Sequence, residues 1–371
     1  MWKIPFNNIV KTDRKIKDRI LRRILQNMES GDFILGKAVK KFEYKFAEYI
    51  GKKYCVGVNS GTSALEIGIK ALNMTKGNII THSNSYISTA LGIIKNEHAV
   101  NFVDIDRNSL MIDVNKIEQN ITDETVAICV ANLNGNAANI DKIIEITAKY
   151  NLNLIEDCAQ SHGAEYNGQM VGSFGDISCF SFYPTKNLGC YGDGGAICTN
   201  NKEVYERMLK LRNLGSHDNI NFDMIGDNTK LDSIQACVLL EKIKELDYNN
   251  NLRHEKAMMY YNGLKETNII KLPQITNGVK SVWHLFVVRV LHNNRDNLYN
   301  YLISKGIECK IHYAKPIHKQ SIFKTDFKLY LPYTEQICDE IISLPFHPYI
   351  DDTEIKYIVD IIKSYQPDTK Y

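Results

Sequence analysis

Short apolar runs rich in β-branched residues alternate with helical patterns through the first two thirds of the chain. The runs that predict buried strands lie at residues 54–58, 78–81, 100–104, 125–131, 152–156, 177–182 and 195–199. Helical patterns lie near residues 62–73, 87–96, 114–120, 139–150 and 202–213, and a long one covers 231–265. Because strands that alternate with helices form βαβ units, this pattern predicts an α/β domain with a mostly parallel sheet.

The pattern changes character near residue 270. Beyond it, residues 283–290 and 308–312 predict strands, and residues 295–305 and 352–364 predict helices. At 371 residues the chain is long for a single core, so we expect two domains. We place a large domain with an N-terminal helical segment at residues 1–265 and a smaller α/β domain at residues 266–371.

Composition and charge are those of an ordinary soluble protein. Hydrophobic residues make up 44% and charged residues 24%, and the net charge is only +2, so we expect neither nucleic acid nor a membrane surface as a partner. The nine cysteines are odd in number and lack CxxC spacing, which favours reduced thiols, and we predict no metal site. The chain shows no signal-peptide pattern and no apolar run of membrane-spanning length, so we expect a cytoplasmic protein.

Two polar residues at strand ends indicate a specific chemistry. Asp157 follows the run at 152–156, and Lys186 lies between the run at 177–182 and a glycine-rich turn. Pyridoxal phosphate chemistry requires such a pair: the carboxylate keeps the pyridine nitrogen protonated, and the lysine forms the resting Schiff base and moves the proton. Alone, the lysine would be a solvated surface group and the aspartate a helix cap, but their conjunction favours catalysis.

A second motif is suited to an anion. Residues 60–64 follow a predicted strand and open a predicted helix. Backbone N–H groups at a helix N-terminus bind anions, and the small side chains here let a phosphate approach. On its own this motif would predict only a capped helix. Beside Lys186, it predicts that Gly61 and Thr62 bind the cofactor phosphate.

Motifs spread along nearly the whole chain resemble one family. They lie at residues 30–36, 59–65, 156–160, 181–189, 228–236, 312–318 and 343–347. In these segments the chain is similar to the sugar aminotransferases of the DegT/DnrJ/EryC1/StrS family, which have the aspartate aminotransferase fold. The resemblance implies an α/β, pyridoxal-phosphate-dependent transferase of fold type I. Its large domain would carry a mostly parallel sheet of the seven-stranded type, and a smaller α/β domain would follow at the C-terminus.

The resemblance also implies cofactor contacts beyond the catalytic pair. Ser181 would contact the phosphate, and Gln160 would hydrogen-bond the phenolic oxygen of the cofactor. Tyr86 would stack on the cofactor ring, although an aromatic residue at a strand-to-helix turn is as often part of the core. His162 either touches the substrate or is a polar residue satisfied within its own turn.

Further positions concern the substrate and a partner subunit. The resemblance places His312, Tyr313, His318 and Lys315 near the substrate, and Lys315 and Lys319 could meet a nucleotide diphosphate or only solvate a loop. Asn228 matches an asparagine that reaches the phosphate of the other subunit, so we expect a homodimer with shared active sites. Lys230 stands where the family often has arginine. Lysine keeps the charge but cannot form the two parallel hydrogen bonds of a guanidinium, so whether Lys230 binds a carboxylate stays open.

One segment departs from the family pattern. Residues 132–136 read Asn-Leu-Asn-Gly-Asn where the family usually has a segment of the His-Leu-Tyr-Gly type. We expect Asn132, Asn134 and Asn136 to leave the cofactor chemistry intact and to alter the sugar pocket.

The resemblance implies amino transfer from L-glutamate to a nucleotide-linked keto sugar, with pyridoxamine phosphate between the half-reactions. The dehydratase branch of the family has histidine in place of the lysine, so Lys186 favours amination. Residues 182–195 are more similar to members that act on 3-keto sugars, and we expect conversion of a dTDP-3-keto-6-deoxyhexose to a dTDP-3-amino-3,6-dideoxyhexose. The alternatives are a UDP-linked 3-keto sugar, then a 4-keto sugar on dTDP, UDP or GDP, and distantly a non-catalytic regulator with this fold.

Overall fold

The computed structural model describes residues 2–14, 16–323 and 329–366. Its strands are β1 (Tyr54–Val58), β2 (Asn78–His82), β3 (Ala99–Val103), β4 (Thr125–Ala131), β5 (Asn153–Asp157), β6 (Glu165–Tyr166), β7 (Gln169–Met170), β8 (Ile177–Ser181), β9 (Gly195–Thr199), β10 (Ile270–Lys271), β11 (Val279–Lys280), β12 (Phe286–Val290) and β13 (Ile341–Leu344). Its α-helices are α1 (Ile9–Asp13), α2 (Lys17–Ser30), α3 (Lys37–Ile50), α4 (Gly61–Leu72), α5 (Ser88–Ile94), α6 (Ile140–Tyr150), α7 (Lys202–Leu211), α8 (Ser233–Lys242), α9 (Leu246–Leu264), α10 (Arg295–Ser304), α11 (Pro332–Glu340) and α12 (Asp352–Ser364).

The central sheet has, within the described residues, seven strands in the order β1-β9-β8-β5-β4-β2-β3. Neighbouring strands are parallel except at β9, which runs antiparallel to both β1 and β8. The mostly parallel α/β sheet expected from the sequence is therefore confirmed.

Helices cover both faces of this sheet, which explains why its strands are apolar throughout. Neighbouring residues of a strand point to opposite faces. Phe180 and Cys198 belong to the core formed with α3 and α8. Cys179 and Ile197 belong to the core on the other face, formed with α4 and α7.

Two predicted elements were wrong. Residues 114–120 form the 3₁₀ turns Val114–Lys116 and Glu118–Asn120 instead of an α-helix. Asp113 accepts a hydrogen bond from the Asn115 N–H at 3.1 Å, and such local side-chain bonds compete with helix formation. Residues 308–312 form no strand in the described structure, because their backbone pairs at single residues with two different partners. The Glu308 N–H donates to the Ile4 carbonyl, and Lys310 forms an isolated bridge with Ser343 of β13.

The C-terminal part of the chain has its own core around the sheet β10-β12-β13. Phe286 and Phe346 lie at its centre, and Tyr260 of α9 stacks on Phe286 with ring centroids 4.8 Å apart. Ile4 from the N-terminal segment packs in the same core. The division into domains at residue 265 stays a prediction.

The parallel strands determine where the polar side chains meet. Asn132 follows β4, Asp157 ends β5 and Ser181 ends β8, so all three lie at the carboxyl edge of the sheet. Ligands of open α/β sheets bind at this edge. Within the described ranges, no helix combines the length and apolar character that crossing a bilayer would need.

Candidate active site

A cavity of about 820 Å³ opens at the carboxyl edge of the sheet. It brings together most of the residues predicted from the sequence, namely Gly61, Thr62, Tyr86, Asp157, Gln160, Ser181, Lys186, His312 and Tyr313. The lining combines the central sheet, the segment that precedes β12 and the segment at 308–313. The site is therefore formed by residues far apart in the sequence.

Lys186 lies in the cavity wall on a turn in which its own N–H donates to the Tyr183 carbonyl at 2.8 Å. Burial lowers the pKa of its amine to about 8, and the nearby Asp157 carboxylate offsets only part of that effect. A substantial fraction of Lys186 is therefore an uncharged amine near pH 8, the form that can act as a nucleophile or a base.

Asp157 is 7% exposed and holds a fixed orientation. Thr89 Oγ1 donates to its Oδ2 at 2.8 Å, and the Ala159 N–H donates to its Oδ1 at 3.2 Å. Burial nevertheless raises the pKa of this carboxyl group, because these donors and Lys186 compensate its desolvation only in part. A cationic group beside Asp157 would stabilise its charged form.

An anion cradle lies at the N-terminus of α4. Ser60 caps the helix by accepting the Ser63 N–H at 3.0 Å, and the Thr62 and Ser88 hydroxyls are 2.7 Å apart. A Cβ atom on Gly61 would lie 2.6 Å from the Ser181 Cβ, so only glycine allows this close approach. Helix N–H groups and clustered hydroxyls suit a phosphate. With a carboxylate and a lysine in the same cavity, the residues present fit pyridoxal phosphate.

Gln160 connects two parts of the cavity. Its Oε1 accepts the Asn134 N–H at 2.8 Å, and its Nε2 donates to the Tyr313 hydroxyl at 3.0 Å. Tyr86 is 57% exposed and its ring centroid lies 5.6 Å from that of Tyr313. Tyr86 is thus a cavity residue and not part of the core.

His312 faces the same cavity as a neutral ring. Its Nδ1 lies 2.8 Å from the Ser343 hydroxyl. Burial, with the charges of Lys186 and Lys310, lowers its pKa to about 4. His312 can therefore serve near neutral pH as a hydrogen-bonding group without adding charge.

Three predicted residues do not line this cavity. His318 is buried, with Nδ1 at 2.7 Å from the Ser83 hydroxyl and Nε2 at 3.1 Å from the Glu335 carboxylate, so both ring nitrogens have protein partners. Lys315 and Asn228 are exposed elsewhere on the surface.

Two ambiguous residues also lie away from the cavity lining. His162 is fully buried beside the rings of Phe180 and Phe182, at centroid distances of 5.6 and 5.8 Å. The Lys230 ammonium donates to Asn213 Oδ1 at 3.1 Å.

The asparagine segment that departs from the family pattern has mixed roles. Asn132 lines the cavity, and its Oδ1 accepts the Ala138 N–H at 3.2 Å. Asn134 has a left-handed backbone and offers its N–H to Gln160. Asn136 is buried and accepts the Thr276 N–H at 3.2 Å, which ties this turn to the segment before β11. Asn132 is thus the member of the three that borders the cavity.

Sequence reasoning missed several cavity residues. Residues 6–10 line the cavity because the Phe6 N–H binds Glu308 Oε2 at 2.8 Å, a contact between segments about 300 residues apart. His284 also lines the cavity, and its partner Asn187 directly follows the lysine. The position of Asn187 next to Lys186 could have indicated a residue near the site, whereas no feature of the sequence indicates the contact of the N-terminal segment with Glu308.

This fold and site define a class of enzyme: a pyridoxal phosphate enzyme of fold type I, with a lysine, a buried aspartate and a phosphate cradle at the carboxyl edge of the sheet. The chain belongs to the DegT/DnrJ/EryC1/StrS aminotransferase family, whose sequence model matches residues 14–363. It is therefore a pyridoxal-phosphate-dependent aminotransferase, as the sequence motifs implied.

Individual relatives match this chain over nearly their whole length. The chain is 42% identical to the dTDP-3-amino-3,6-dideoxy-alpha-D-galactopyranose transaminase of Aneurinibacillus thermoaerophilus, covering 98% of this chain and 99% of the relative. It is 35% identical to the UDP-2-acetamido-2-deoxy-3-oxo-D-glucuronate aminotransferase of Pseudomonas aeruginosa, covering 96% and 98%. Among solved structures, S. venezuelae DesV in complex with a ketimine intermediate superposes with a TM-score of 0.94 at 32% identity, covering 98% of both chains.

Proposed function

We propose that this protein transfers the amino group of L-glutamate to carbon 3 of a nucleotide-linked 3-keto sugar, with a dTDP-3-keto-6-deoxyhexose as the preferred acceptor. The product would be a dTDP-3-amino-3,6-dideoxyhexose. The observation that carries the proposal is the 42% identity, over the whole chain, to a transaminase named for such a product. The relative named for a UDP-linked 3-oxo sugar makes UDP the leading alternative for the nucleotide.

When bound, pyridoxal phosphate supplies an electron sink for the carbanion that forms when the donor loses its α-proton. In our proposal, the N-terminus of α4 with Gly61, Thr62 and Ser181 holds the phosphate. Asp157 holds the ring nitrogen in its protonated form, which also stabilises the buried carboxylate. These contacts fix the ring before any proton moves.

Lys186 carries the proton in both half-reactions. With the cofactor bound, the Lys186 amine would take the α-proton of glutamate and hold it for return to the cofactor, and it would move a proton in the opposite direction when the keto sugar is aminated. A pKa of about 8 keeps the energetic cost of gaining and losing that proton small near neutral pH. In the same proposal, Gln160 and Tyr86 orient the ring, and His312, Tyr313 and Asn132 contact the sugar.

Nucleotide-linked amino sugars, added one at a time to the cofactor-loaded protein, test the substrate. A dTDP-3-amino-3,6-dideoxyhexose should remove the visible absorbance of the lysine-bound cofactor, because it runs the second half-reaction backwards. The matched compounds are the 4-amino isomer and the UDP-linked 3-amino sugar. A response only to the 4-amino sugar would move the reaction to carbon 4. If neither glutamate nor any amino sugar changed the spectrum, the proposed reaction would be contradicted.

We also propose a homodimer in which Asn228 completes the partner's site. Asn228 is exposed, and the loop before it exposes Ile220, Phe222 and Ile225 by 78%, 58% and 84%. Apolar side chains this exposed are expected to be covered by another chain. A second copy of the protein would cover them and bring Asn228 to its cofactor phosphate.

Subunit mixing tests the shared site. Asn228→Ala should weaken cofactor retention, and mixing it with Lys186→Ala should restore roughly a quarter of wild-type activity, because each hybrid dimer has one intact site. Mixing Lys186→Ala with Asp157→Asn is the control, since both residues belong to the same subunit's site and no intact site can form. Activity is measured before and after mixing. Equal recovery in both mixtures, or none in the first, would argue against the shared site.

A cytoplasmic location belongs to the same proposal. Each of the nine cysteines is a buried free thiol, the state expected in a reducing compartment. Formation of a deoxyamino sugar for a surface polysaccharide or a related product would suit such an enzyme.

A further inference from the structure

His284 lies in the same cavity wall as Lys186 and has no role in the mechanism proposed above. It precedes β12, is 6% exposed and lines the same cavity as Lys186. Its Nδ1 lies 3.0 Å from Oδ1 of Asn187, the residue that follows the lysine in the chain. The other ring nitrogen, Nε2, has no hydrogen-bond partner among the residues that the structure describes.

A chain of amides fixes which nitrogen of His284 carries the proton. Asn187 Nδ2 donates to the Val282 carbonyl at 2.9 Å and to Asn250 Oδ1 at 2.8 Å. Asn250 Nδ2 donates in turn to the His162 carbonyl at 3.0 Å. Because a carbonyl oxygen can only accept, both amides have one possible orientation.

The orientation of Asn187 determines the tautomer of the imidazole. Asn187 presents Oδ1 to the ring, so His284 Nδ1 must carry a hydrogen and donate it. A neutral His284 therefore has its lone pair on Nε2. Asn187 does not line the main cavity, whereas His284 does, so the Nε2 side of the ring is the side left to face the cavity.

The surroundings keep this ring neutral. The titratable groups that act on it are Lys186, Arg253, His162 and His312, and each opposes a positive charge on the imidazole. Arg253 of α9 is buried and donates to the carbonyl of His284 at 3.4 Å and to that of Trp283 at 3.2 Å, which holds the segment in place. Burial and these charges together lower the pKa of His284 well below its ordinary value.

We propose that His284 Nε2 is a fixed hydrogen-bond acceptor for the nitrogen of Lys186, which it orients while that nitrogen carries the proton. The proposal rests on the proposed function. Lys186 N–H donates to Nε2, no covalent bond changes, and the proton stays on the lysine because His284 does not compete for it. The acceptor thus stabilises the protonated lysine nitrogen and fixes the orientation of that nitrogen toward the cofactor.

His284→Asn and His284→Gln separate the two edges of the ring. In His284→Asn the amide can still donate to Asn187 but nothing replaces Nε2. In His284→Gln the longer amide can place an oxygen near the former Nε2. The first readout needs no substrate: the pH midpoint at which the absorbance of the lysine-bound cofactor changes. The second readout is the half-reaction with L-glutamate, resolved into binding and maximal rate.

His284→Asn should lower the spectral midpoint, because the protonated nitrogen loses its acceptor. It should also slow the glutamate half-reaction about 10- to 100-fold with little change in glutamate binding, the range expected for a hydrogen bond to a charged group. His284→Gln should recover part of both. An unchanged midpoint and rate in His284→Asn would overturn the proposal. Equal losses in both variants, with weaker thermal stability, would instead show a purely structural role.

Asn187→Asp provides a second variant. A carboxylate there still accepts from Nδ1 but raises the pKa of His284, so the ring is charged and Nε2 becomes a donor at low pH. The half-reaction should gain a new ionisation, with the rate falling as pH falls below the raised pKa. A profile with the wild-type shape would contradict the role of Nε2. If wild-type protein itself fails to react with glutamate, the proposed function falls, whereas the spectral midpoint still decides the role of His284.

Discussion

Lys186→Ala should abolish the visible absorbance of lysine-bound cofactor and nearly all turnover while the protein stays folded. Loss of the general base alone accounts for roughly 10²- to 10⁴-fold in rate, and loss of the nucleophile adds to it. The fold should tolerate the change because burial already disfavours the ammonium, whose pKa is lowered to about 8. The measurements are the absorbance after cofactor loading and the rate of the glutamate half-reaction.

Lys202→Ala is the matched control. Lys202 lies on α7, 75% exposed, in an ion pair of 3.7 Å with Glu206, and it should change neither the spectrum nor the rate. Near-wild-type turnover in Lys186→Ala would remove the lysine from the mechanism. Loss of the thermal unfolding transition in Lys186→Ala would mean instead that the lysine side chain is needed for the folded structure around the cavity.

The central sheet was predictable because its strands are buried on both faces. Such strands read as continuous apolar runs, and the predicted runs match β1 to β5, β8 and β9 to within about a residue at each end. The segment at 308–312 instead alternates polar and apolar residues, as a half-buried strand does, and gave a wrong prediction. The Glu308 N–H donates to the Ile4 carbonyl and the Glu308 side chain accepts the Phe6 N–H, and no local pattern indicates a contact made by the start of the chain.

The proximity of the proposed catalytic pair was predictable for a related reason. Asp157 and Lys186 stand where the chain leaves neighbouring parallel strands, so sequence position alone brings them to one edge. The state of the His284 ring was not predictable, because it depends on residues that are distant in the sequence. Asn187 lies 97 residues before His284, and its own partner Asn250 lies 63 residues after Asn187. Only their relative orientation in the fold makes Nε2 an acceptor.

Asp157→Asn should leave a stable protein that binds the cofactor weakly and reacts slowly. Burial raises the pKa of Asp157, so replacing the carboxylate by a neutral amide removes a desolvation cost, and the melting temperature should not fall. Thr89 can turn its hydroxyl to accept from the new amide. Without the anion the ring nitrogen is no longer held in its protonated form, and the half-reaction should slow by roughly 10²- to 10³-fold. Cofactor dissociation, glutamate half-reaction rate and melting temperature are the three measurements.

Glu156→Gln is the matched control, because it alters the neighbouring carboxylate of the same strand and should lower stability while leaving activity unchanged. Glu156 points to the other face of β5 and accepts the N–H groups of Gly172, Phe174 and Gly175 at 2.8, 2.9 and 2.7 Å. Burial raises the pKa of Glu156 as well, but its partners are backbone N–H groups that cannot turn to accept, unlike the Thr89 hydroxyl beside Asp157. An amide at this position therefore sets a donor against at least one of these N–H groups and should cost about 1–3 kcal/mol of folding stability. The chemistry per folded molecule should stay close to wild type. If both variants lost stability and activity in parallel, Asp157 would be a structural residue, and its assignment to the ring nitrogen would fail.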